Sequence, residues 1–216
     1  KLTVPRFLTI GISFGVHGGF DAVHNVVLKA KANLDQFGFL DRNVLTAIEG
    51  YSAFDEAIIY AILHEAIYCD GPGVASNWAA QRVGERLDNF FWLRPEVKTF
   101  SDHSGPLYFS AEMIFPSHFE THPELVTLAE AAQKLAKTSD WSPIYDKAVL
   151  AENKVPCYAV SYVDDIFVDY RFAEDTARLV KGTKVFATNV IYHNGVRARS
   201  DEVLKQIFAL REDTVD

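Results

Sequence analysis

The sequence predicts an α/β protein in which a mostly helical part, residues 1–137, precedes a strand–helix–strand–helix segment at 138–216. Three observations lead to this fold class. Apolar residues recur at helical spacing through the first part, two short apolar runs lie near the C-terminus, and a helical stretch separates those two runs. Strands that alternate with helices at this spacing form a parallel βαβ unit whose faces are covered by helices.

Capping residues and apolar periodicity predict the helices of the first part. Thr3 and Pro5 are typical of an N-cap and a first helical turn, and Pro123 begins a strongly amphipathic stretch that ends in lysines. The predicted helices begin near Thr3 and then span 20–34, 41–49, 55–69, 75–87 and 123–138, with a loop rich in proline and aromatic residues at 90–108.

The second part contains two predicted strands, each followed by a helix. The apolar runs VPCYAVSYV (155–163) and KVFATNVIY (184–192) predict buried strands. Helices are predicted at 172–182, closed by Gly182 as its C′ residue, and at 201–210. Two strands do not form a stable sheet of this kind by themselves. We therefore expect them to be the edge of a larger sheet, most of which lies outside this sequence.

Composition narrows the classes of partner and compartment. A net charge of −8 and a pI near 5.4 argue against nucleic acid or an anionic membrane surface, because no basic cluster is present to neutralise phosphates. The same charge suits a positively charged substrate. Cys69 and Cys157 are too few for a disulfide framework, so we expect a reducing, cytoplasmic environment. No apolar run reaches the ~18 residues that span a bilayer.

Acidic and histidine side chains follow the two predicted strands. Asp164 and Asp165 come just after the first strand, and His193 comes just after the second, 28 residues beyond Asp165. That separation leaves room for one crossover helix, so the side chains should emerge beside each other at the carboxyl ends of the strands. An Asp that orients a catalytic His requires this adjacency, and the pair would complete the order Ser, Asp, His of serine hydrolases.

Other interpretations of these residues stay open. The aspartates could cap helices while His193 lies in a loop, or Asp164, Asp165 and Asp169 could hold a magnesium ion, although no phosphate-binding loop accompanies them. A zinc site is not expected, because HEAIYC has Tyr68 where the pattern H-E-x-x-H has its second histidine.

The segment TIGISFGVHGGF (9–20) contains the G-x-S-x-G pattern of a nucleophile elbow, with Ser13 at its centre. An elbow follows core strands, and the few residues before this segment cannot provide them. We therefore expect Gly11, Ser13 and Gly15 to let two helices approach closely. A small esterase or other hydrolase that uses Ser13 stays an alternative, and so does a non-catalytic helical fragment that binds a partner.

Two carboxylates, Glu65 and Glu112, lie in otherwise apolar stretches of the first part. Burial of a carboxylate is costly unless the carboxylate meets a cation or hydrogen-bond donors. Each could pair with a nearby arginine or cap a backbone. Two such groups in one helical lobe could together hold the ammonium group of a ligand.

Five blocks of the sequence carry a family pattern. They are RFLTIGISFG with the following GGFDAVHNVVLKA, then AIIYAILHEAIYCDG, SAEMIFPSHFE, DWSPIYDKAVLAENKVPCYAVSYVDDIFVD and TNVIYHNGVR. In this order they resemble the cap and C-terminal segments of prolyl aminopeptidases (proline iminopeptidases), which are serine exopeptidases of the α/β-hydrolase fold. The likeness covers nearly the whole chain.

The resemblance implies a helical, substrate-recognising cap at 1–137 and the C-terminal βαβα edge of an α/β-hydrolase core at 138–216. It matches Asp165 and His193 to the catalytic Asp and His. It also matches Glu65 and Glu112 to cap carboxylates that recognise the free amino group of an N-terminal proline.

The resemblance also implies which partners the chain needs. GISFG matches a cap helix, and the family's nucleophile lies upstream of every residue here, so we expect this chain to be inactive by itself. The expected partners are a peptide with a free N-terminal proline and the N-terminal part of the core. An exposed sheet edge also leaves a homo-oligomer open. No cofactor or metal is expected.

Overall fold

Two units make up the part of the chain that the structure describes. The structure is a computed structural model that describes residues 2–51, 54, 56–97, 99–100 and 105–213. The first unit contains the residues up to Ile12 and those from His24 to Ile144. The second unit contains Ser13–Val23 and the residues from Tyr145 onward. The assignment of a cap and a core divided after residue 137 stays a prediction.

The elements follow one another along the chain as short helices and then as a strand–helix–strand–helix segment. The α-helices are α1 (Val4–Leu8), α2 (Gly19–Phe37), α3 (Arg42–Glu49), α4 (Ile58–Leu63), α5 (Ala79–Gly84), α6 (His118–Thr121), α7 (Ala129–Lys137), α8 (Lys147–Ala151), α9 (Tyr170–Leu179), α10 (Gly195–Ala198) and α11 (Ser200–Glu212). The strands are β1 (Cys157–Tyr162) and β2 (Thr183–Thr188). Four 3-10 helices are described, at Thr9–Gly15, His64–Tyr68, Asp88–Leu93 and Val126–Leu128.

The predicted N-cap of α1 is present, and α3 also has an N-cap. The Thr3 hydroxyl accepts a hydrogen bond from the backbone N–H of Arg6 at 3.3 Å, and Pro5 lies in the first turn of α1. Asp41 caps α3 by accepting from the N–H of Val44 at 2.9 Å. Each cap satisfies a donor that the first turn of a helix leaves without an intrahelical acceptor.

Three predicted helices are shorter than expected. The stretch predicted at 55–69 forms α4 and then tightens into a 3-10 helix at His64, and its first residue, Asp55, lies outside the described residues. The stretch at 75–87 becomes helical only at Ala79, because Asn77 and Trp78 have φ of 45° and 56°. The stretch at 123–138 begins as a turn and a 3-10 helix before α7. Apolar periodicity does not reveal such left-handed residues.

Among the described residues of the first unit, two apolar clusters contribute to the core. The larger contains Phe54, Ala61, Trp78, Ile114, Phe119, Leu125, Ala132 and Ala136. The smaller contains Leu8, Trp92, Leu93 and Phe115. Burial of such side chains supplies the main driving force for folding, and here it fixes the turn at Trp78 against the helices.

The sheet of the second unit is parallel, as the sequence predicts. In the described part of the chain β1 pairs with β2 in a register that runs from Cys157 opposite Thr183 to Tyr162 opposite Thr188. The strands are mostly half-buried rather than buried, because each pairs along one side only within these residues. Gly182 does have a left-handed φ of 79°, but it lies in the turn into β2, beyond the end of α9 at Leu179.

The described residues therefore form an α/β protein with a helical majority. None of their helices combines the length and apolar character that crossing a bilayer requires.

Buried histidines are a further feature of the first unit. His64 is fully buried, and burial lowers its pKa to about 4. His118 stacks on His122 with ring centroids 4.8 Å apart, and burial together with the charge of His122 lowers its pKa to about 3. Both imidazoles are therefore neutral in the folded protein at neutral pH.

These histidines should make the chain sensitive to acid. An unfolded histidine binds a proton near its ordinary pKa of about 6.5, whereas folded His64 does not until about pH 4, so stability falls as the pH falls through this window. For His64 alone, the expected loss of unfolding free energy between pH 7 and pH 5 is about 2 kcal/mol. Urea unfolding at pH 7 and pH 5 measures this loss. Between these pH values, His64→Gln should lose less unfolding free energy than the unsubstituted chain, by about the amount assigned to His64.

The exposed residue His24 offers a matched control. His24→Gln should lose as much stability on acidification as the unsubstituted chain. If His64→Gln behaves in the same way as His24→Gln, buried His64 does not cause the acid sensitivity.

Candidate active site

Asp165 and His193 lie together at the carboxyl end of the parallel sheet. Asp165 follows β1 and His193 follows β2, and parallel pairing of these strands brings their ends to one edge. The Nδ1 atom of His193 lies 2.9 Å from Oδ2 of Asp165. The structure thus brings the two side chains into hydrogen-bond contact, while their catalytic role stays a prediction.

The loop after β1 fixes the orientation of the Asp165 carboxylate. Its Oδ1 accepts hydrogen bonds from the backbone N–H groups of Phe167 at 2.8 Å and Val168 at 3.2 Å. Oδ2 is thereby turned toward His193. Because a carboxylate only accepts, the Nδ1 of His193 must carry the proton, and in the neutral imidazole Nε2 then keeps its lone pair.

The Asp165 side chain is buried, whereas the His193 side chain is accessible to solvent. The side chain of Asp165 is 4% exposed, and that of His193 is 45% exposed. A cleft of about 250 Å³ lies beside them, lined also by Tyr162 and Val196. An accessible imidazole that is oriented by a buried carboxylate can accept a proton from a group in such a cleft.

The other two aspartates do not join this pair. Asp164 is exposed, whereas Asp169 caps α9 by accepting from the N–H of Arg171 at 2.8 Å. That backbone hydrogen bond is the main cause that lowers the pKa of Asp169. No group of three potential metal ligands comes together among the described residues. Asp169 is therefore a helix cap, a role that the sequence analysis did not assign to it.

Ser13 does not lie on a strand-to-helix turn. It lies inside the 3-10 helix Thr9–Gly15, and no hydrogen bond between described residues joins its hydroxyl to His193. The glycines of the motif do allow close approach, but the neighbours are not a second helix as predicted. Gly11 packs against Phe109 and the carbonyl of Ser110, and Gly15 packs against the ring of Phe167. Spacing alone could not identify these partners, because they are distant in sequence.

Glu65 is a buried carboxylate of the first unit. It is 3% exposed, and its Oε2 accepts from the Ser76 hydroxyl at 2.7 Å and from the N–H of Trp78 at 2.5 Å. The second bond holds the left-handed turn at Trp78. Glu65 forms no ion pair with a lysine or arginine among the described residues. Its negative charge is therefore available to a cation.

Glu112 and Glu65 both lie near Tyr68. Burial and the charges of these two glutamates raise the pKa of Tyr68 to about 12. The Tyr68 hydroxyl is 3.2 Å from Nε2 of His64. Burial and Glu112 likewise raise the pKa of Tyr60, whose hydroxyl donates to the Glu112 carbonyl at 3.3 Å. The charges of Glu65 and Glu112 therefore both act on the Tyr68 hydroxyl.

Sequence reasoning noticed Tyr68 only as the residue that rules out a zinc motif. It lies three residues after Glu65, which in a helical segment places it on the same side. That spacing is the signal that could have identified it.

A pocket of about 520 Å³ opens at Glu65 and Tyr68. Much of its remaining wall is apolar and includes Ala75, Ala79, Ala80, Val83 and Met113. Arg82 also lines it, but its guanidinium donates to the backbone carbonyls of Asn77 and Ser76 at 2.9 and 3.1 Å. A carboxylate at the edge of apolar walls can accommodate a ligand with an ammonium group and a small apolar body.

The hydrogen bonds of Glu65 predict a stability effect. Glu65→Ala leaves the Trp78 N–H without its acceptor in a buried turn and should lower the unfolding free energy by about 1–3 kcal/mol. Glu65→Gln keeps a carbonyl acceptor and should cost less. Urea unfolding measures both, with the exposed Glu124→Ala as control. Equal losses for Glu65→Ala and Glu124→Ala would show that these bonds do not stabilise the turn.

Comparison with known proteins adds the chain's relationships. No protein-family model matches it. It is 35% identical over 215 residues to the proline iminopeptidase aneH of Aspergillus aculeatus, a match that covers 100% of this chain and 46% of that protein. It is 33% identical over 213 residues to a proline iminopeptidase of Aeromonas sobria, which covers 99% of this chain and 47% of the relative. The chain spans about half the length of these curated relatives. Because the identity extends over nearly all of this chain, the chain is a homologue of proline iminopeptidases. This confirms the resemblance found in its sequence.

Proposed function

We propose that this chain supplies the Asp–His pair and the amine-binding cap of a serine aminopeptidase that releases N-terminal proline from peptides. The observation that carries the proposal is the 2.9 Å contact between His193 Nδ1 and Asp165 Oδ2 in a homologue of proline iminopeptidases. The names of the relatives supply the reaction and the substrate class. The geometry supports the roles of the individual side chains.

In this mechanism His193 is the general base. Its Nε2 takes the proton from a serine hydroxyl as the oxygen attacks the carbonyl of the N-terminal residue, and Asp165 stabilises the imidazolium that forms. The imidazolium then gives the proton to the leaving amine of the peptide. Water attacks the acyl-enzyme in the same way and releases proline. The nucleophilic serine would belong to the N-terminal part of the intact protein.

Glu65 and Glu112 would select substrates with a free amino terminus. Two protein donors occupy Oε2 of Glu65, so Oε1 is the oxygen that would accept from the substrate ammonium group. Binding of the ammonium at a fixed point would allow only the first peptide bond to reach the serine. A blocked amino terminus would leave the carboxylates without a cation, which is costly in a buried site.

The fold and environment belong to the same proposal. β1 and β2 would form the C-terminal edge of an α/β-hydrolase core, and strands from the N-terminal part of the protein, or a second copy of the chain, would complete the sheet. The free thiols of Cys69 and Cys157 support a cytoplasmic location.

A complementation experiment tests whether this chain needs the N-terminal part of the core for activity. L-Prolinamide is incubated with this chain alone and with this chain mixed with a fragment that carries the rest of the core. We expect proline release only from the mixture. Proline release by the chain alone, together with fluorophosphonate labelling that Ser13→Ala abolishes, would instead favour a hydrolase that uses Ser13.

The two adjacent aspartates predict different effects on turnover. Asp165→Asn should lower kcat of the intact enzyme by about 10⁴, because the amide no longer selects the productive tautomer of His193. Asp164→Asn is the matched control and should change kcat little, because Asp164 is exposed. Steady-state hydrolysis of prolinamide measures both. Equal losses in the two variants would contradict the assignment of Asp165.

A further inference from the structure

The segment that resembles a nucleophile elbow packs against the loop that carries His193. The part of the segment from Ser13 onward and the loop that carries His193 both belong to the second unit. The backbone N–H of His193 donates to the carbonyl of Gly15 at 3.1 Å. The N–H of His17 donates to Oδ1 of Asn194 at 3.1 Å. These two bonds connect the segment to the backbone of His193 and to the side chain of Asn194.

Phe167 contacts both members of the Asp–His pair. Its backbone N–H donates to Oδ1 of Asp165 at 2.8 Å. Its ring meets the His193 imidazole edge to face, with centroids 4.7 Å apart and planes at 73°. An aromatic contact of this kind restricts rotation of the imidazole about its bond to Cβ. The position of the Phe167 ring therefore bears on the direction of Nε2.

Gly15 leaves the space in which the Phe167 ring lies. A Cβ atom at Gly15 would stand 2.9 Å from Cδ2 of that ring and still closer to Cε2 and Cζ. Gly15 is buried, so an added methyl group could not turn toward solvent. Any side chain at residue 15 must therefore displace the ring that lies against His193.

We propose that Gly15 is a positioning residue for His193, acting through Phe167. The absence of a side chain lets the ring lie against the imidazole, and the Gly15 carbonyl anchors the backbone of His193. Together they hold Nδ1–H toward Asp165 and Nε2 toward the cleft. The catalytic consequence rests on the proposed function, whereas the geometric effect on His193 does not.

Spectroscopy of the chain separates positioning from general packing. In the chain labelled with ¹⁵N-histidine, the hydrogen-bonded Nδ1 proton of His193 should give a downfield resonance that Asp165→Asn removes. Gly15→Ala should broaden or shift this resonance. Gly50→Ala is the matched control, because Gly50 has φ of −62° and a Cβ there would lie no closer than 3.5 Å to its neighbours. It should leave the resonance unchanged.

A double-substitution cycle tests the route through Phe167. In the intact enzyme Gly15→Ala should lower kcat by between about tenfold and a hundredfold with little change in KM, as expected for a small displacement of a catalytic group. In a Phe167→Leu background the same substitution should add little, because both act through one contact. Equal losses in the two backgrounds would overturn the route through Phe167.

Other outcomes are equally decisive. If Gly15→Ala does not fold, Phe167→Ala removes the ring without adding a clash, and it should perturb the same Nδ1 resonance. An unchanged resonance in a folded Gly15→Ala or Phe167→Ala chain overturns the proposal. If Asp165→Asn leaves turnover intact while Gly15→Ala still shifts the resonance, the proposed function fails and the positioning of His193 stands.

Discussion

The parallel pairing of β1 with β2 is the constraint on which the candidate site depends. Only a parallel pair brings the residues after both strands to the same edge of the sheet, and α9 is the crossover that makes the pairing parallel. Asp165 and His193 meet there although 28 residues separate them. The loop after β1 then adds the second requirement, since its N–H groups occupy one carboxylate oxygen of Asp165 and leave the other to the imidazole.

The first unit contains a buried carboxylate, Glu65, whose charge must be stabilised. Glu65 is buried without an ion pair among the described residues, and its desolvation is offset by the Ser76 hydroxyl and the Trp78 N–H. The second donor comes from a residue in the left-handed region, where a bulky side chain is strained. The carboxylate thus stabilises a strained turn and still presents negative charge to the pocket. One side chain serves both the stability of the turn and the electrostatics of the pocket.

Several features of the site could be predicted from local sequence because their causes are local. Asp165 and His193 were identified from their positions just after apolar runs, and outside the site Thr3 was identified as the N-cap of α1. Features that depend on distant residues were not accessible. The packing of Gly11 against Phe109 and of Gly15 against Phe167 is decided by side chains about a hundred or more residues away. The left-handed conformation of Trp78 is likewise held by the hydrogen bond from its N–H to Glu65. The apolar periodicity of the sequence does not predict this bond.

The sequence by itself determined the longer amphipathic helices, the parallel βαβ unit and the residues that follow its strands, because periodicity, caps and crossover length act over short distances. It also determined the relationship to proline iminopeptidases. Only the tertiary structure decided that residues 13–23 pack with the C-terminal segment and that Tyr68 lies near both Glu65 and Glu112. Those outcomes depend on which distant surfaces bury one another, and a linear pattern does not specify that.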